Sequence, residues 1–512
     1  MKKRNETKIV IIGMGSLMEY IRPCYEEFIG TENLKNNIVA VKGKKNIEQK
    51  RNEFTFEIRL FDNLSALRDI NPDIILFAPP PTLVPRLTEE ALKVYYNELR
   101  EKSMPLPDLY AFAPSPAGKY YLNELGEDIH VCNILPNLFY GVGGNTFITY
   151  PNEKHWPLKN KKRIEEFFKP LGGVIDVEPE HVLHMLATMV TVEIIKVGIF
   201  TMVSALEEYG RRLNYKDLAA YLRAYHEQKH YYFPQNKTEI TDNALDSKMQ
   251  KVFAQFYDSW FRGLQDYLIG TGMGKEKVRQ VLIETIDLNL YVCQNEDKEM
   301  IEQSIEEHAT KGGVLERGCL CFEVLMEDKI RAVFSDKDQD GYNSKFFNWV
   351  YHSYHVICEI VAFHCKRLSG AELPFEFTEE VATVVHALFI KNIIKLGGEK
   401  DLESVAAAIK PHFGQRVSGI VKAWEKYGLL DEGEYYLKHM DYEIAKDDNS
   451  FKSWEYYTGY IVSEMSRRAK EVLGNADEVN NRTFKDIEII FGKTAVTFIK
   501  EISKNYYLEN SQ

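Results

Sequence analysis

Cysteine is scarce in this 512-residue chain: seven residues, an odd number, scattered at Cys24, Cys132, Cys293, Cys319, Cys321, Cys358 and Cys365. That spacing excludes a disulfide framework of the secreted kind and reads as reduced thiols used for packing. Cys319 and Cys321 have no second pair at metal-binding spacing, so no metal site is expected of them. Positive charge is short as well. Lys and Arg number 64 against 76 Asp and Glu, a formal net charge of -12, which argues against a nucleic-acid binder that neutralises phosphates. The chain is read as lacking an apolar run of about 18 residues, a signal peptide after its Met-Lys-Lys-Arg start, an internal repeat and a low-complexity tract. The expectation is a soluble cytoplasmic protein with no membrane or nucleic-acid partner.

What is present is globular material. Apolar residues make up 45% and charged residues 27%, enough to build cores, in a chain too long for a single one. From Lys8 to about Tyr150, short apolar runs alternate with amphipathic stretches, the pattern of βαβ units and a mostly parallel sheet. Strands are expected at Lys8–Ile12, Ile38–Val41, Asp73–Phe77, Leu109–Ala113 and His130–Ile134. Beyond Pro179 helical periodicity takes over, with long helices at His181–Tyr209 and Lys248–Ile269. The fold class is therefore an α/β Rossmann-type N-terminal domain followed by all-α domains. The expected division is 1–150 for the Rossmann domain and 151–330 for a helical substrate and dimerisation domain with an insertion near 205–255. A helical linker at 331–373 and a C-terminal helical domain at 374–512 complete it.

Directly after the first strand comes Gly13-Met14-Gly15-Ser16-Leu17, opening an amphipathic stretch. Two glycines so placed supply a tight turn and let a pyrophosphate approach the backbone. Met18 stands where a third glycine is usual, and Pro23 interrupts the helix. At the end of the second strand, where an acidic residue would select NAD, the chain has Lys42-Gly43-Lys44-Lys45. Lys42 and Lys44 are candidates for a 2′-phosphate, which favours NADPH over NADH. Proline clusters at Pro79-Pro80-Pro81 and at Pro114 with Pro116 follow two other strands, where ligands sit in open α/β sheets.

Taken in order, these pieces resemble the pyrroline-5-carboxylate reductase family over about residues 8–330. The resemblance is carried by Gly13-Met14-Gly15, by Ile75-Leu76-Phe77-Ala78-Pro79-Pro80, by Leu135-Pro136-Asn137 with Gly141-Val142-Gly143-Gly144, and by Thr310 to Gly318. It implies a Rossmann fold, an NAD(P)H hydride donor, a small imine substrate and a homodimer. It also implies that Gly13, Met14, Gly15, Ser16, Leu17, Ala78, Pro79, Pro80, Pro114 and Asn137 line the cofactor. Where the family has paired threonines, one credited with contacting the substrate nitrogen, this chain has Val314 and Leu315. That departure points away from the proline precursor itself. A β-hydroxyacid or opine-type dehydrogenase and a non-catalytic nucleotide-binding or assembly protein are the alternatives.

On the first long helix His181, His184, Thr188 and Thr191 share a face. His184 and Thr188, with Glu316 from the turn matching the family's helix start, are the candidate catalytic residues; a hydrogen-bonded seam between helices is the other reading of the stripe. Glu193 and Lys196 read as a salt-bridged pair. Asp336 to Gly341 imitates a calcium loop but has Phe347 where a bidentate Glu is needed, and reads as a solvated turn. His352, His355, Cys358, Glu359, His364 and Cys365 fall in one helical stretch that lacks a catalytic partner motif, and no metal is expected there. Trp349, Tyr351 and Tyr354 read as core, and Trp424, Tyr427, Trp454, Tyr456 and Tyr457 mark a C-terminal segment without a recognised motif. Because the two long helices carry apolar residues around much of their circumference, a covering partner is expected, either a second copy or the chain's own C-terminal residues, with the homodimer favoured.

Overall fold

The computed structural model describes residues 4–113, 118–136, 146–151, 156–208, 210–211, 213–230, 247–309, 313–335, 342–368, 379–397 and 454–510. Its N-terminal part is built on eight strands: β1 (Ile9–Ile12), β2 (Ile38–Lys42), β3 (Glu57–Leu60), β4 (Ile74–Phe77), β5 (Asp108–Ala111), β6 (Val131–Leu135), β7 (Thr146–Thr149) and β8 (Val174–Asp176). They form one sheet in the order β3-β2-β1-β4-β5-β6-β7-β8. The first six are parallel; β7 runs antiparallel to β6, and β8 parallel to β7.

Alternation along each buried strand sorts side chains between two helical layers. Ile9, Ile11, Ile38, Ala40, Ile74 and Leu76 face one layer, which includes α1 (Ser16–Tyr20), α2 (Arg22–Ile29) and, later in the chain, the helix Leu158–Phe168. Val10, Ile12, Val39, Val41, Ile75 and Phe77 face the other, formed by α3 (Asn63–Ile70), α4 (Val94–Glu101) and α5 (Gly118–Leu125). With Leu158–Phe168 as α6, the sheet continues past residue 150 to β8. β7 lies just before the change of composition at Pro151 and β8 beyond it, and neither was foreseen.

The helical part follows as α7 (Val182–Glu193), α8 (Ile195–Glu208), α9 (Tyr215–His230), α10 (Ser247–Gly270), α11 (Lys275–Asn295), α12 (Lys298–His308), α13 (Val314–Phe322), α14 (Asp328–Ser335), α15 (Ser344–Leu368) and α16 (Glu379–Gly397). Three more helices close the chain: α17 (Trp454–Leu473), α18 (Asp477–Phe491) and α19 (Lys493–Asn510). The expected single helix His181–Tyr209 is two, but its hydrogen bonding runs on through the break, from the Ile194 amide to Val190 and from the Gly198 amide to Ile194. One apolar core extends from Leu135, Phe147, Ile175 and Val177 at the sheet's edge through these helices to Ile499.

Two expectations meet this core. Residues 331–373, expected to be a helical linker, contain α15, which packs against α7 and α10; its Tyr354, Val356, Ile357, Cys358 and Val361 are fully buried. The apolar surface from which a second copy was expected is thus covered, on that side, by the chain itself. The reading that no apolar stretch reaches spanning length is also corrected. Among the described residues, Pro179–Glu208 is long and apolar enough to cross a membrane, with mean hydropathy 1.8 in its most apolar window, and 83% of that window is buried inside the molecule. It is placed as the central helix of a packed core.

Buried imidazoles give this core a pH dependence. His226 on α9 is fully buried, with Nε2–H donating to the Ile283 carbonyl at 3.0 Å, so Nδ1 accepts from the Tyr257 hydroxyl. Burial first, then the neighbouring His230, lowers its pKa to about 3. The folded state therefore holds the neutral ring. Its contribution is complete above the unfolded pKa of 6.5 and is lost as pH falls toward about 3. The urea midpoint is expected to drop steadily from pH 7 to pH 4, with a shallower slope in His226→Gln; equal slopes would remove His226 from the cause.

Candidate functional site

In this strand order β1 is flanked by β2 on one side and β4 on the other, so the chain's connections diverge from it and leave a crevice at the strands' C-terminal ends. The turn leaving β1 is fixed from both sides. The Gly13 and Met14 amides both donate to the Val41 carbonyl, at 3.0 and 3.3 Å, and the Ala78 amide donates to the Ile12 carbonyl at 2.8 Å. Gly13 has φ +98°, and a Cβ there would lie 2.4 Å from the Ala78 carbonyl oxygen. Only glycine fits. Met14 is buried under the turn, whereas a Cβ on Gly15 would meet nothing within 4 Å, leaving room for a ligand group against that backbone. The amides of Ser16 and Leu17 open α1, beyond reach of any carbonyl in the helix. α1 is only five residues long and α2 begins after Ile21, because Pro23 cannot continue the hydrogen-bond ladder. Its dipole is correspondingly small, and the glycine turn is the main feature.

Lys42 does not reach outward. Its Nζ donates to the Met14 carbonyl at 2.7 Å, so it props the turn; burial lowers its pKa and nearby Glu19 opposes that. Lys50, anchored to Glu19 at 2.9 Å and to Glu53 at 2.6 Å, completes this support. Lys44 and Lys45 are exposed beyond the strand end. Across the crevice Ala78 is half-buried, Pro79 buried and Pro80 exposed. Pro114 and Asn137, like Gly141–Gly144 and Thr310–Gly312, lie outside the described residues. Sequence reasoning missed the Val41 carbonyl, Glu19 and Phe61. The last follows β3, a strand in which only Ile58 is buried and which was not foreseen.

The polar stripe on α7 is a seam. Thr188 is 1% exposed and donates to its own helix at the His184 carbonyl, 2.9 Å away; buried Thr191 does the same to Ala187 at 2.8 Å. Both hydroxyls lie against the Cys358 thiol of α15. Thr188 therefore has no route to a substrate in this conformation. His184 is half-buried, with Nδ1 at 2.7 Å from the Tyr267 hydroxyl. Burial foremost, then Lys366 and His181, lowers its pKa, and a ring held neutral is a weak proton donor at pH 7. Glu316 sits half-buried in the first turn of α13, near Cys319, whose thiol is pushed up to about 11 chiefly by burial, with Glu193 and Glu316 adding to the shift. The predicted Glu193–Lys196 pair forms at 3.3 Å. At Gly318 a Cβ would meet Ile194 at 2.5 Å and Val190 at 2.9 Å, so this glycine is needed for α13 to cross α7 closely.

Among the described residues no group of three His, Cys, Asp or Glu side chains is gathered to hold a metal. His355 instead pairs with Glu359 at 3.4 Å, and Cys358 and Cys365 are buried. Trp349 and Tyr354 are core residues. Residues 336–341, Trp424 and Tyr427 lie outside the described residues.

Strand order and glycine turn together define a Rossmann-type α/β protein with an all-helical remainder. No family model and no curated protein matches the chain. Solved structures do. A pyrroline-5-carboxylate reductase from Coxiella burnetii is 15% identical with a TM-score of 0.32, over 71% of this chain and 98% of that one. A Plasmodium falciparum pyrroline carboxylate reductase with NADP bound is 13% identical with a TM-score of 0.28, over 66% and 99%. The enzyme from Streptococcus pyogenes is 12% identical with a TM-score of 0.27, over 65% and 99%. At these scores the fold rests on this chain's own strand order.

Proposed function

We propose that the chain is an NAD(P)H-dependent oxidoreductase that reduces a small imine, with NADPH preferred over NADH. The observation that supports it is the Gly13 turn, wedged between the Val41 carbonyl and Ala78 where the strand order reverses. A bound nicotinamide would supply hydride from its C4. The chain's own work is to hold the pyrophosphate against Gly15, Ser16 and Leu17 and to present Lys44 and Lys45 to a 2′-phosphate. His184 is held through Nδ1 by the Tyr267 hydroxyl at 2.7 Å. A second reading, a nucleotide-binding protein without turnover, is favoured by the burial of Thr188 and by the absence of a hydroxyl at Val314 and Leu315.

The test is NADPH and NADH affinity, followed by oxidation of each over cyclic imines, 2-oxo acids and amino-acid mixtures. NADPH is expected to bind more tightly, and Lys44→Glu to weaken it about tenfold while changing NADH less than about twofold. Equal affinities unchanged by the substitution would end the NADPH preference. Pyrroline-5-carboxylate is expected to be turned over poorly. Tight NADPH binding with no oxidation over the whole panel would decide for the second reading.

A further inference from the structure

We propose that Phe61 is the platform on which the adenine ring of the dinucleotide stacks, an inference that rests on the dinucleotide reading of the Gly13 turn. Phe61 is the residue immediately after β3. Its amide donates to the Lys42 carbonyl at 3.1 Å, which fixes it beside the end of β2 and the basic loop Gly43-Lys44-Lys45. It is 62% exposed, and next to it Leu60 is 41% exposed.

Its backbone is the unexpected feature. Among the described non-glycine residues, positive φ occurs at Asn46, Phe61, Asn71 and Ser103. Three of these are small polar residues that tolerate the left-handed region; a bulky aromatic rarely adopts it. Phe61 holds φ +54° with a ring that is mostly in water, so burial offsets little of the strain. Strain kept at an exposed position marks a site where the side chain has another use. Gly43 is part of the arrangement: the Phe61 ring lies 3.3 Å from where a Cβ on Gly43 would be, so the missing side chain lets the ring lie close to the end of β2.

The location fits one half of the ligand. A dinucleotide whose pyrophosphate rests on the turn after β1 extends its adenosine ribose toward the end of β2, and the neighbouring strand in that direction is β3. A flat exposed ring there, beside Lys44 and Lys45, suits a purine carrying a 2′-phosphate. Base–aromatic stacking of this kind changes affinity by about five- to a hundredfold on removal of the ring.

The experiment titrates wild-type protein, Phe61→Trp, Phe61→Ala and Phe61→Asn with NADPH, adenosine 2′,5′-bisphosphate and nicotinamide mononucleotide, and records each melting temperature. Phe61→Ala and Phe61→Asn are expected to lose about five- to a hundredfold for the two adenine-bearing ligands, with nicotinamide mononucleotide unchanged. Phe61→Trp is expected to bind both, its emission quenched by the stacked base. Asn accepts the left-handed backbone, so Phe61→Asn is expected to melt no lower than wild type, which separates lost stacking from lost folding. Wild-type affinity for adenosine 2′,5′-bisphosphate in Phe61→Asn would overturn the assignment of Phe61 alone. Wild-type protein that binds neither adenine nucleotide would overturn the dinucleotide reading with it.

Discussion

Gly13→Ala is expected to lower dinucleotide affinity by more than about a hundredfold and to destabilise the N-terminal part by about 2–4 kcal/mol. Two independent causes add. At φ +98° an alanine sits in a region that L side chains avoid, and its Cβ would lie 2.4 Å from the Ala78 oxygen and 2.6 Å from the Ala78 carbonyl carbon. The clash is with backbone at the end of β4, so no rotamer relieves it. Relief must come from moving the turn, which breaks the Gly13 and Met14 hydrogen bonds to Val41, or from parting β1 from β4. Gly15→Ala is the control. Gly15 has φ −112° and open space around its Cβ position, so that variant should melt like wild type and lose only affinity. Circular dichroism melts and NADPH titration separate the two, and a Gly13→Ala protein that melts and binds as wild type would remove the turn from both roles.

The Rossmann core was legible because parallel strands buried on both faces announce themselves as apolar runs: strands were expected at Lys8–Ile12, Ile38–Val41 and Asp73–Phe77, and they form at Ile9–Ile12, Ile38–Lys42 and Ile74–Phe77. β3 was not legible. Glu57-Ile58-Arg59-Leu60 is an edge strand, only Ile58 is buried, and Arg59 ties to Glu57 of the same strand and to Asp69 on α3. Missing β3 meant missing Phe61, whose signal is a backbone angle rather than a residue type. Lys42 shows the same limit. A cation at the strand end is visible in the sequence, but whether its stem turns to solvent or back to the Met14 carbonyl is settled by packing. In the helical half, periodicity located α7, α8 and α10, yet could not say that α15 belongs between them. Such pairings are long-range, and a helix apolar over much of its surface suits a partner chain and a distant part of its own chain equally well. Arg317 illustrates this: half-buried on α13, it caps α18, 171 residues away, by donating to the Glu488 and Ile489 carbonyls at 3.1 and 2.9 Å.

Asp108→Ala is expected to cost about 3–5 kcal/mol in stability while leaving dinucleotide affinity unchanged at temperatures where the variant stays folded. Asp108 is 2% exposed at the first residue of β5, the opposite end of the strands from the Gly13 crevice. One carboxylate oxygen pairs with the Arg163 guanidinium; the other accepts from Asn160 at 2.9 Å and lies 3.2 Å from His130 Nδ1. Arg163 and Asn160 both belong to α6, so a single carboxylate fastens that helix to the sheet. Removing it takes from a mostly buried guanidinium the carboxylate it touches, leaving it the attraction of Asp73, and burial is already the first cause lowering the Arg163 pKa. The cost comes from that stranded charge more than from the lost attraction, which gives the prediction its sharper form. Asp108→Ala with Arg163→Met should recover most of the loss, because replacing both partners of a buried pair is far cheaper than removing one. A double variant no more stable than Asp108→Ala would show instead that the carboxylate acts through Asn160 and the start of β5, with the ion pair incidental to how α6 is held.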